Sequence, residues 1–109
     1  MARRIAWTEV AAADLEEAAD YIARDSARYA AAFVREVRAA ARSLTRMAAR
    51  GRIVPEFGDP NYRELIVRSY RLIYHLSPTA VTIIGFIHGA RDMRSLWERE
   101  QRPAPDDDT

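Results

Sequence analysis

At 109 residues the chain has the length of one ordinary domain, and its net charge of only +1 disfavours a dedicated nucleic-acid binder, which usually carries a clearly basic surface. It contains no cysteine, which excludes disulfides and thiolate metal sites and suits a reducing cytoplasm. All 17 basic residues are arginine, so no lysine ammonium is available as a general acid, base or nucleophile.

The N-terminal residues carry two arginines, Arg3 and Arg4, but no apolar stretch of the kind that a signal peptide requires. The longest apolar run, residues 80–87, is less than half of the ~20 residues that a membrane span needs. We therefore expect a cytoplasmic protein with no membrane segment. Residues 1–102 are predicted to form a single domain and residues 103–109 a disordered acidic tail.

The first half of the chain predicts one strand and two helices. Residues 3–7 contain β-formers and end at Thr8, which is suited to cap a helix over residues 8–25. Ser26 is suited to cap a second helix, which we expect to continue to Gly51. Apolar residues recur at helical spacing in both segments: Ala11, Leu15, Ala18 and Ile22, then Tyr29, Phe33, Val37, Ala41, Leu44 and Ala48. The two amphipathic helices are predicted to pack as an antiparallel hairpin.

The second half predicts strands. Residues 51–61 contain Pro55, Gly58 and Pro60 and are expected to form a loop. Three β-rich segments follow, at residues 62–67, 70–77 and 80–88, and the short breaks between them indicate an antiparallel meander. Residues 93–99 could add one or two helical turns. The predicted fold is thus α+β with the order β-α-α-β-β-β and a short C-terminal helical segment.

Alternation along the strands predicts which side chains share a face. Leu72, Tyr74 and Leu76 belong under the helices, whereas the opposite face would present an apolar patch with a cationic rim. The patch consists of Ile73, Ile84 and Phe86, and the rim of Arg71, His75, His88 and Arg91. Such a patch is typical of a docking site for another protein. The alternative is that the first strand or the C-terminal segment, through Trp97, covers this face as ordinary core.

Four segments carry a resemblance to a known family. They are Gly51-Arg52-Ile53-Val54-Pro55-Glu56, Arg63-Glu64-Leu65, Tyr70-Arg71-Leu72-Ile73-Tyr74 and His88-Gly89-Ala90-Arg91-Asp92. In this order and at these spacings they resemble the RelE/ParE superfamily of bacterial type II toxins, whose element order matches the one predicted here. The resemblance spans the whole predicted domain and implies a RelE/ParE-like fold.

The superfamily includes ribosome-dependent ribonucleases like RelE and DNA gyrase poisons like ParE. Arg71 and Arg91 match two arginine positions of the ribonuclease branch. Its lysine positions appear here as Arg63 and Leu65, and its C-terminal tyrosine position as Trp97, which has no acidic hydroxyl. Because arginine stays charged, it is a poor proton donor, and the ribonuclease set is only half present.

His88 leaves the ribonuclease branch open, because some relatives cut RNA with a histidine and a glutamate. Glu56 or Glu64 could serve as its partner. Alternatively, His88 is a half-exposed residue at a strand end with no chemistry. The segment from Gly51 to Glu56 resembles the loop of ParE-type members, which favours the gyrase-poison branch.

The resemblance therefore implies a toxin of a type II toxin–antitoxin system, with a ParE-like, non-enzymatic gyrase inhibitor as the favoured function. No metal or cofactor is expected, and the target contacts would be Arg91, Arg94 and Trp97. The alternative is a RelE-like ribosome-dependent mRNA endoribonuclease that uses Arg71, His88 and Arg91. A third possibility is a toxin fold that has lost toxicity and persists as an interaction module.

The resemblance also implies a cognate antitoxin, ParD-like, that binds the toxin in a hetero-oligomer and provides the only contact with DNA. Its expected landing surface is Arg71, Ile73, Ile84, Phe86 and Arg91, where the arginines would pair with acidic residues of a segment that folds on binding.

Overall fold

The computed structural model describes residues 2–89 together with Leu96, Glu98 and Glu100. The elements follow in this order: β1 (Arg4–Trp7), α1 (Glu9–Ala23), α2 (Ala27–Ser43), a 3-10 turn (Ala48–Arg50), β2 (Arg52–Ile53), β3 (Tyr62–Val67), β4 (Tyr70–Leu76) and β5 (Ala80–His88). Leu96, Glu98 and Glu100 are helical, within or next to the predicted C-terminal helical segment. The predicted α+β class is confirmed, and so are the N-terminal strand, the helical hairpin and the three-stranded meander.

Both predicted helix caps are present. The Thr8 hydroxyl accepts the Ala11 amide at 3.0 Å, and the Ser26 hydroxyl accepts the Tyr29 amide at 3.1 Å. Each bond satisfies one of the amides that the first helical turn leaves without an intrahelical partner. The hairpin is therefore defined by local sequence signals at both of its starting points.

Two boundaries differ from prediction. The second helix ends at Ser43 rather than near Gly51, and the Ser43 hydroxyl donates to the Ala40 carbonyl at 2.7 Å, a bond of the kind that competes with continued helix. The segment predicted as a loop begins with β2, which pairs antiparallel with β3. The meander is therefore extended by a fourth antiparallel strand of two residues.

The sheet has five strands in the order β1-β5-β4-β3-β2. β1 runs parallel to β5, and the other neighbours are antiparallel. Both helices cover one face, where the main core lies. Its buried members include Leu15 and Ala18 of α1, Phe33 and Val37 of α2, and Leu72, Tyr74, Val81, Ile83 and Phe86 of the sheet. The predicted position of Leu72 and Tyr74 under the helices is confirmed.

A β-bulge on β5 overturns part of the predicted face assignment. Ile73 pairs with Gly85 and Tyr74 pairs with Ile83, so Ile84 is the extra residue on β5. One inserted residue reverses the alternation beyond it. Phe86, which was expected on the far face with Ile84, therefore packs in the helix-covered core, where its ring lies 5.9 Å from that of Phe33.

The expected exposed patch on the far face is wrong, because its members are interior. Ile73, Ile84 and Phe86 are 0%, 2% and 2% exposed. Ile73 and Ile84 form a second core with Val54 and Leu96, so a residue of the C-terminal segment covers this face, as the alternative interpretation had it. The covering residues that the structure describes are Leu96 and Val54, the latter from the segment after β2, whereas Trp97 lies outside the described residues.

Several predicted features lie outside the described residues. They are Arg91, Arg94, Trp97, the domain boundary at residue 102 and the acidic tail at residues 103–109. Neither helix in the described part of the chain is long and apolar enough to cross a lipid bilayer.

Candidate functional site

The far face of the sheet holds a cluster of four charged residues centred on Arg71 of β4. Arg71 Nε donates to Glu64 Oε1 at 2.7 Å, and its two terminal nitrogens donate to the two carboxylate oxygens of Glu56 at 3.0 and 2.8 Å. Arg52 Nε donates to the other Glu64 oxygen at 2.5 Å. The Arg71 guanidinium thus bonds two carboxylates along two edges, and the contact with Glu56 is bidentate.

Strand register brings these residues together. Arg52 of β2 lies opposite Glu64 of β3, and Arg71 of β4 lies opposite Ile66, two residues beyond Glu64 on the same face. Glu56 reaches the cluster from the segment that follows β2. The four charges come from four consecutive parts of the chain, so the cluster forms only when the β2–β3–β4 arrangement is complete.

Burial and charge pairing act together on the cluster. The Glu64 side chain is fully buried and that of Arg71 is 8% exposed, whereas that of Glu56 is 45% exposed. The hydrogen bond to Glu56, together with that to Glu64, raises the pKa of the Arg71 guanidinium above its already high ordinary value, although burial opposes this. The hydrogen bond from Arg71 lowers the pKa of Glu56. Arg71 is therefore a fixed cation that cannot transfer a proton near neutral pH.

Tyr74 supports the segment that leads into the cluster. Its hydroxyl donates to the Ala48 carbonyl at 2.7 Å and accepts the Gly51 amide at 3.0 Å. Burial raises the pKa of the Tyr74 phenol. Gly51 fits here because it has no side chain: a Cβ atom would lie 2.6 Å from both the Tyr74 hydroxyl and the Glu64 carbonyl oxygen. This explains in physical terms why glycine starts the Gly51–Glu56 segment.

Arg63 and Leu65, which stand at the lysine positions of the ribonuclease branch, both have structural contacts. Arg63 Nε donates to the Pro60 carbonyl at 3.1 Å and one terminal nitrogen donates to the Gly51 carbonyl at 3.0 Å. Leu65 is partly buried against the helix-covered core. Arg63 therefore holds backbone around β2, and Leu65 offers no polar group.

His88 lies on the other side of the sheet from Arg71. Its ring meets the edge of Tyr70 at a centroid distance of 5.0 Å, and Tyr70 stacks in parallel on Phe86 at 4.8 Å, in the helix-covered core. The exposed His88 side chain lines a groove with Tyr21 of α1 and with Arg24, the residue that caps the C-terminal end of this helix. Neither glutamate suggested as its partner is on this face, because Glu56 and Glu64 both bind Arg71 on the far side.

Of the predicted binding residues that the structure describes, only Arg71 belongs to a charged cluster, and it lies on the opposite face of the sheet from His88. Among residues 2–89, Leu96, Glu98 and Glu100, no group of three or more histidine, aspartate or glutamate side chains could hold a metal ion. Sequence reasoning missed Glu56 and Glu64 as partners of Arg71. The sequence did contain one signal. Glu64 is a charged residue within β3, and by alternation it shares its sheet face with Ile66, which lies opposite Arg71.

Comparison with known proteins agrees with the observed fold. A family described as ParE toxin of type II toxin-antitoxin system, parDE, matches residues 5–93. No curated protein matches the chain. A solved structure described as the chromosomal ParDE TA system from P. aeruginosa is similar in fold, with a TM-score of 0.67 and 21% sequence identity. The similarity covers 80% of this chain and 96% of that one. The α+β architecture is that of the RelE/ParE-like fold, and the family match extends over most of the sequence, so the chain belongs to the ParE toxin family of type II toxin–antitoxin systems.

Proposed function

We propose that this ParE-family chain is a cytoplasmic, non-enzymatic toxin that inhibits DNA gyrase and is neutralised by a ParD-like antitoxin in a hetero-oligomer. The antitoxin supplies the complex's contact with DNA. Family membership supports the toxin assignment, and the choice of gyrase rests on the chemistry of the site. The solved ParDE system that the fold resembles supports the proposal of an antitoxin partner.

The observation that carries the proposal is the separation of Arg71 from His88. RNA cleavage needs a proton-transfer group and a cation close to the same phosphate. Here the histidine and the arginine lie on opposite faces of the sheet, and the Arg71 guanidinium is already bonded to Glu56 and Glu64. Such an arrangement suits binding better than phosphodiester cleavage.

The remaining candidate groups also favour a binding function. Arg63 is engaged with backbone carbonyls and Leu65 is apolar, so the two lysine positions of the ribonuclease branch supply no proton donor. We assign gyrase contacts to Arg91, Arg94 and Trp97, which follow β5 in the sequence. Arginine and tryptophan are enriched among the residues that dominate protein–protein binding energy.

For the antitoxin we retain Arg71 and Arg91 as contacts with acidic residues. Ile73, Ile84 and Phe86 belong to the two cores, so an antitoxin could reach them only by displacing the chain that covers them. The proposed landing surface is accordingly more polar than the one expected from alternation alone.

The test measures both candidate activities on one preparation of purified protein. We expect the wild-type protein to inhibit gyrase supercoiling of a relaxed plasmid while leaving a translated message intact in a ribosome extract, as read by primer extension. Trp97→Ala should weaken gyrase inhibition, and Tyr21→Phe, a conservative change at an exposed ring on α1, should leave it unchanged. If primer extension shows new mRNA ends with the wild-type protein and none with His88→Ala, the ribonuclease alternative is established and this proposal is excluded.

A separate experiment addresses the partner. The chain is produced together with the product of the gene next to its own, and the complex is purified through a tag on the toxin alone. We expect a hetero-oligomer that binds promoter DNA, whereas the isolated toxin does not bind it. Retained growth arrest in the presence of that gene product would contradict neutralisation.

A further inference from the structure

The Arg71–Glu56 ion pair lies beside an open depression of about 340 Å³ on the far face of the sheet. The depression is lined by Arg52, Pro55, Glu56, Ile66, Arg68 and Arg71, among others. Ile66, near the end of β3, is 58% exposed. The depression therefore combines an exposed apolar side chain with an arginine whose outer edge is held by one carboxylate.

The two carboxylates that bind Arg71 are not equivalent. Glu64 is fully buried, with one oxygen bonded to Arg71 and the other to Arg52. Glu56 is nearly half exposed and lies in the segment after β2 rather than in a strand. Exposed ion pairs contribute little to stability, whereas a buried charge that loses its partner is costly. Glu56 is therefore the member of the cluster that can leave.

The rest of the cluster keeps Arg71 in place when Glu56 leaves. The bond from Nε to Glu64 fixes the guanidinium plane, so its two terminal nitrogens stay aimed at the depression as a pair of parallel donors. The charges that remain are those of Arg52, Arg71 and Glu64, which sum to +1 (+1 +1 −1). An incoming carboxylate would restore the same two hydrogen bonds and the same neutral balance.

We propose that the outer edge of Arg71 is a receptor for a carboxylate on a partner peptide, and that Glu56 occupies it until that peptide binds. The partner segment carries an aspartate or glutamate for Arg71 and an apolar neighbour for Ile66. Charge complementarity and the exposed Ile66 beside the arginine specify this occupant. The identity of the partner as the antitoxin rests on the proposed function, but the chemistry of the receptor does not.

The probe is N-acetyl-Asp-Leu-amide, which carries one carboxylate and one aliphatic side chain. It is titrated into ¹⁵N-labelled protein while the Arg71 Nε–H and the Ile66 and Ser69 amides are followed by NMR. Three proteins are compared: wild type, Glu56→Ala and Glu16→Ala. Glu16 is the matched control because it is exposed on α1, which packs on the opposite face of the sheet, it does not line the depression, and its removal changes the net charge equally.

We expect Glu56→Ala to bind the probe about fivefold more tightly than wild type, since an occupied receptor lowers apparent affinity by the fraction that is free. Glu16→Ala should bind as wild type does. Equal affinity in all three proteins, or shifts that map away from Arg71 and Ile66, would overturn the inference. Binding of inorganic phosphate in place of the peptide would overturn it too, because it would identify a nucleic-acid backbone site.

Failure of this inference can be separated from failure of the proposed function. If the wild-type protein inhibits gyrase but Glu56→Ala does not bind the probe, only the receptor proposal is excluded. If the probe binds as predicted but the wild-type protein leaves gyrase active, the receptor proposal is supported and gyrase is excluded as the target.

Discussion

The Tyr74 hydroxyl accepts the amide of Gly51 at 3.0 Å, across 23 positions of sequence, and the same hydroxyl donates to the carbonyl of Ala48. One phenol oxygen thereby joins the centre of the sheet to the 3-10 turn that follows the helical hairpin. The Gly51 amide and the Tyr74 ring are buried, so neither bond is readily replaced by water. This contact contributes, with the pairing to β3 and the bond from Arg63 to the Gly51 carbonyl, to the position of β2 and Arg52.

Tyr74→Phe should lower the free energy of unfolding by about 1–3 kcal/mol, because it leaves a buried amide and a buried carbonyl without their partner. Urea denaturation followed by circular dichroism measures the change. Tyr21→Phe is the control, since the Tyr21 ring is largely exposed on α1. A loss no larger than in that control would mean that water replaces the hydroxyl.

Gly51→Ala should also destabilise the protein, by about 1–3 kcal/mol, because its Cβ atom would lie 2.6 Å from the Tyr74 hydroxyl and from the Glu64 carbonyl oxygen. Part of this clash disappears when the hydroxyl is absent. The double variant with Tyr74→Phe should therefore lose less stability than the two single variants together. Strict additivity in the double-mutant cycle would show that the two residues act independently.

The two glutamates bound to Arg71 should respond very differently to neutralisation. Glu64→Gln leaves two arginines beside a buried neutral group and should cost about 3 kcal/mol. Glu56→Gln removes a partly exposed charge and should cost less than about 1 kcal/mol. Chemical denaturation of both variants at neutral pH makes the comparison. Equal losses would contradict the asymmetry on which the proposed receptor depends.

The Glu56–Arg71 pair should make stability depend on pH in the acid range. The folded-state pKa of Glu56 is lowered by its hydrogen bond to Arg71, so the pair stabilises the fold above the ordinary carboxyl pKa of 4.5. This stabilisation is lost as the pH falls through the lower folded value. The difference in unfolding free energy between wild type and Glu56→Gln should accordingly shrink on acidification. A difference that stays constant at all acid pH values would argue against the pair.

Phe86→Ala should cost about 3–5 kcal/mol, since the bulge places this ring in the helix-covered core against Phe33. Had Phe86 been a surface residue, the change would be nearly neutral. Ile66→Ala, at the exposed position on β3, serves as the control and should stay within about 0.5 kcal/mol of wild type. Thermal and urea unfolding both report the difference.

Much of the fold could be predicted because its signals are local. Thr8 and Ser26 cap the helices, apolar spacing defines the hairpin, and short breaks separate the strands of the meander. The bulge at Ile84 was missed because strict alternation was applied along all of β5. Its local signal was Gly85, since an isolated glycine inside a strand pattern often marks a bulge. The amide of Phe86 beyond the bulge donates to Asp14 at 3.2 Å, a long-range bond that no local pattern contains.

The site was less predictable because it depends on register and on distant segments. Arg71 was identified, but its partners Glu56 and Glu64 follow from the pairing of β2 with β3 and of β3 with β4. Ile73 is covered by Val54, which lies 19 residues before it in the sequence, and by Leu96, which lies 23 residues after it. A sequence pattern specifies that an apolar face needs cover, but it does not specify which segment supplies it.

The position of β1 beside β5 has a consequence for synthesis. Arg4 pairs with Ala80 and Trp7 with Ile83, so the first strand to emerge from the exit tunnel bonds to the last one. α1 also packs on β5, which means that a nascent chain ending at β4 lacks the strand that both of these N-terminal elements need. A cell translating this message therefore holds no toxin with a complete sheet until β5 has been synthesised.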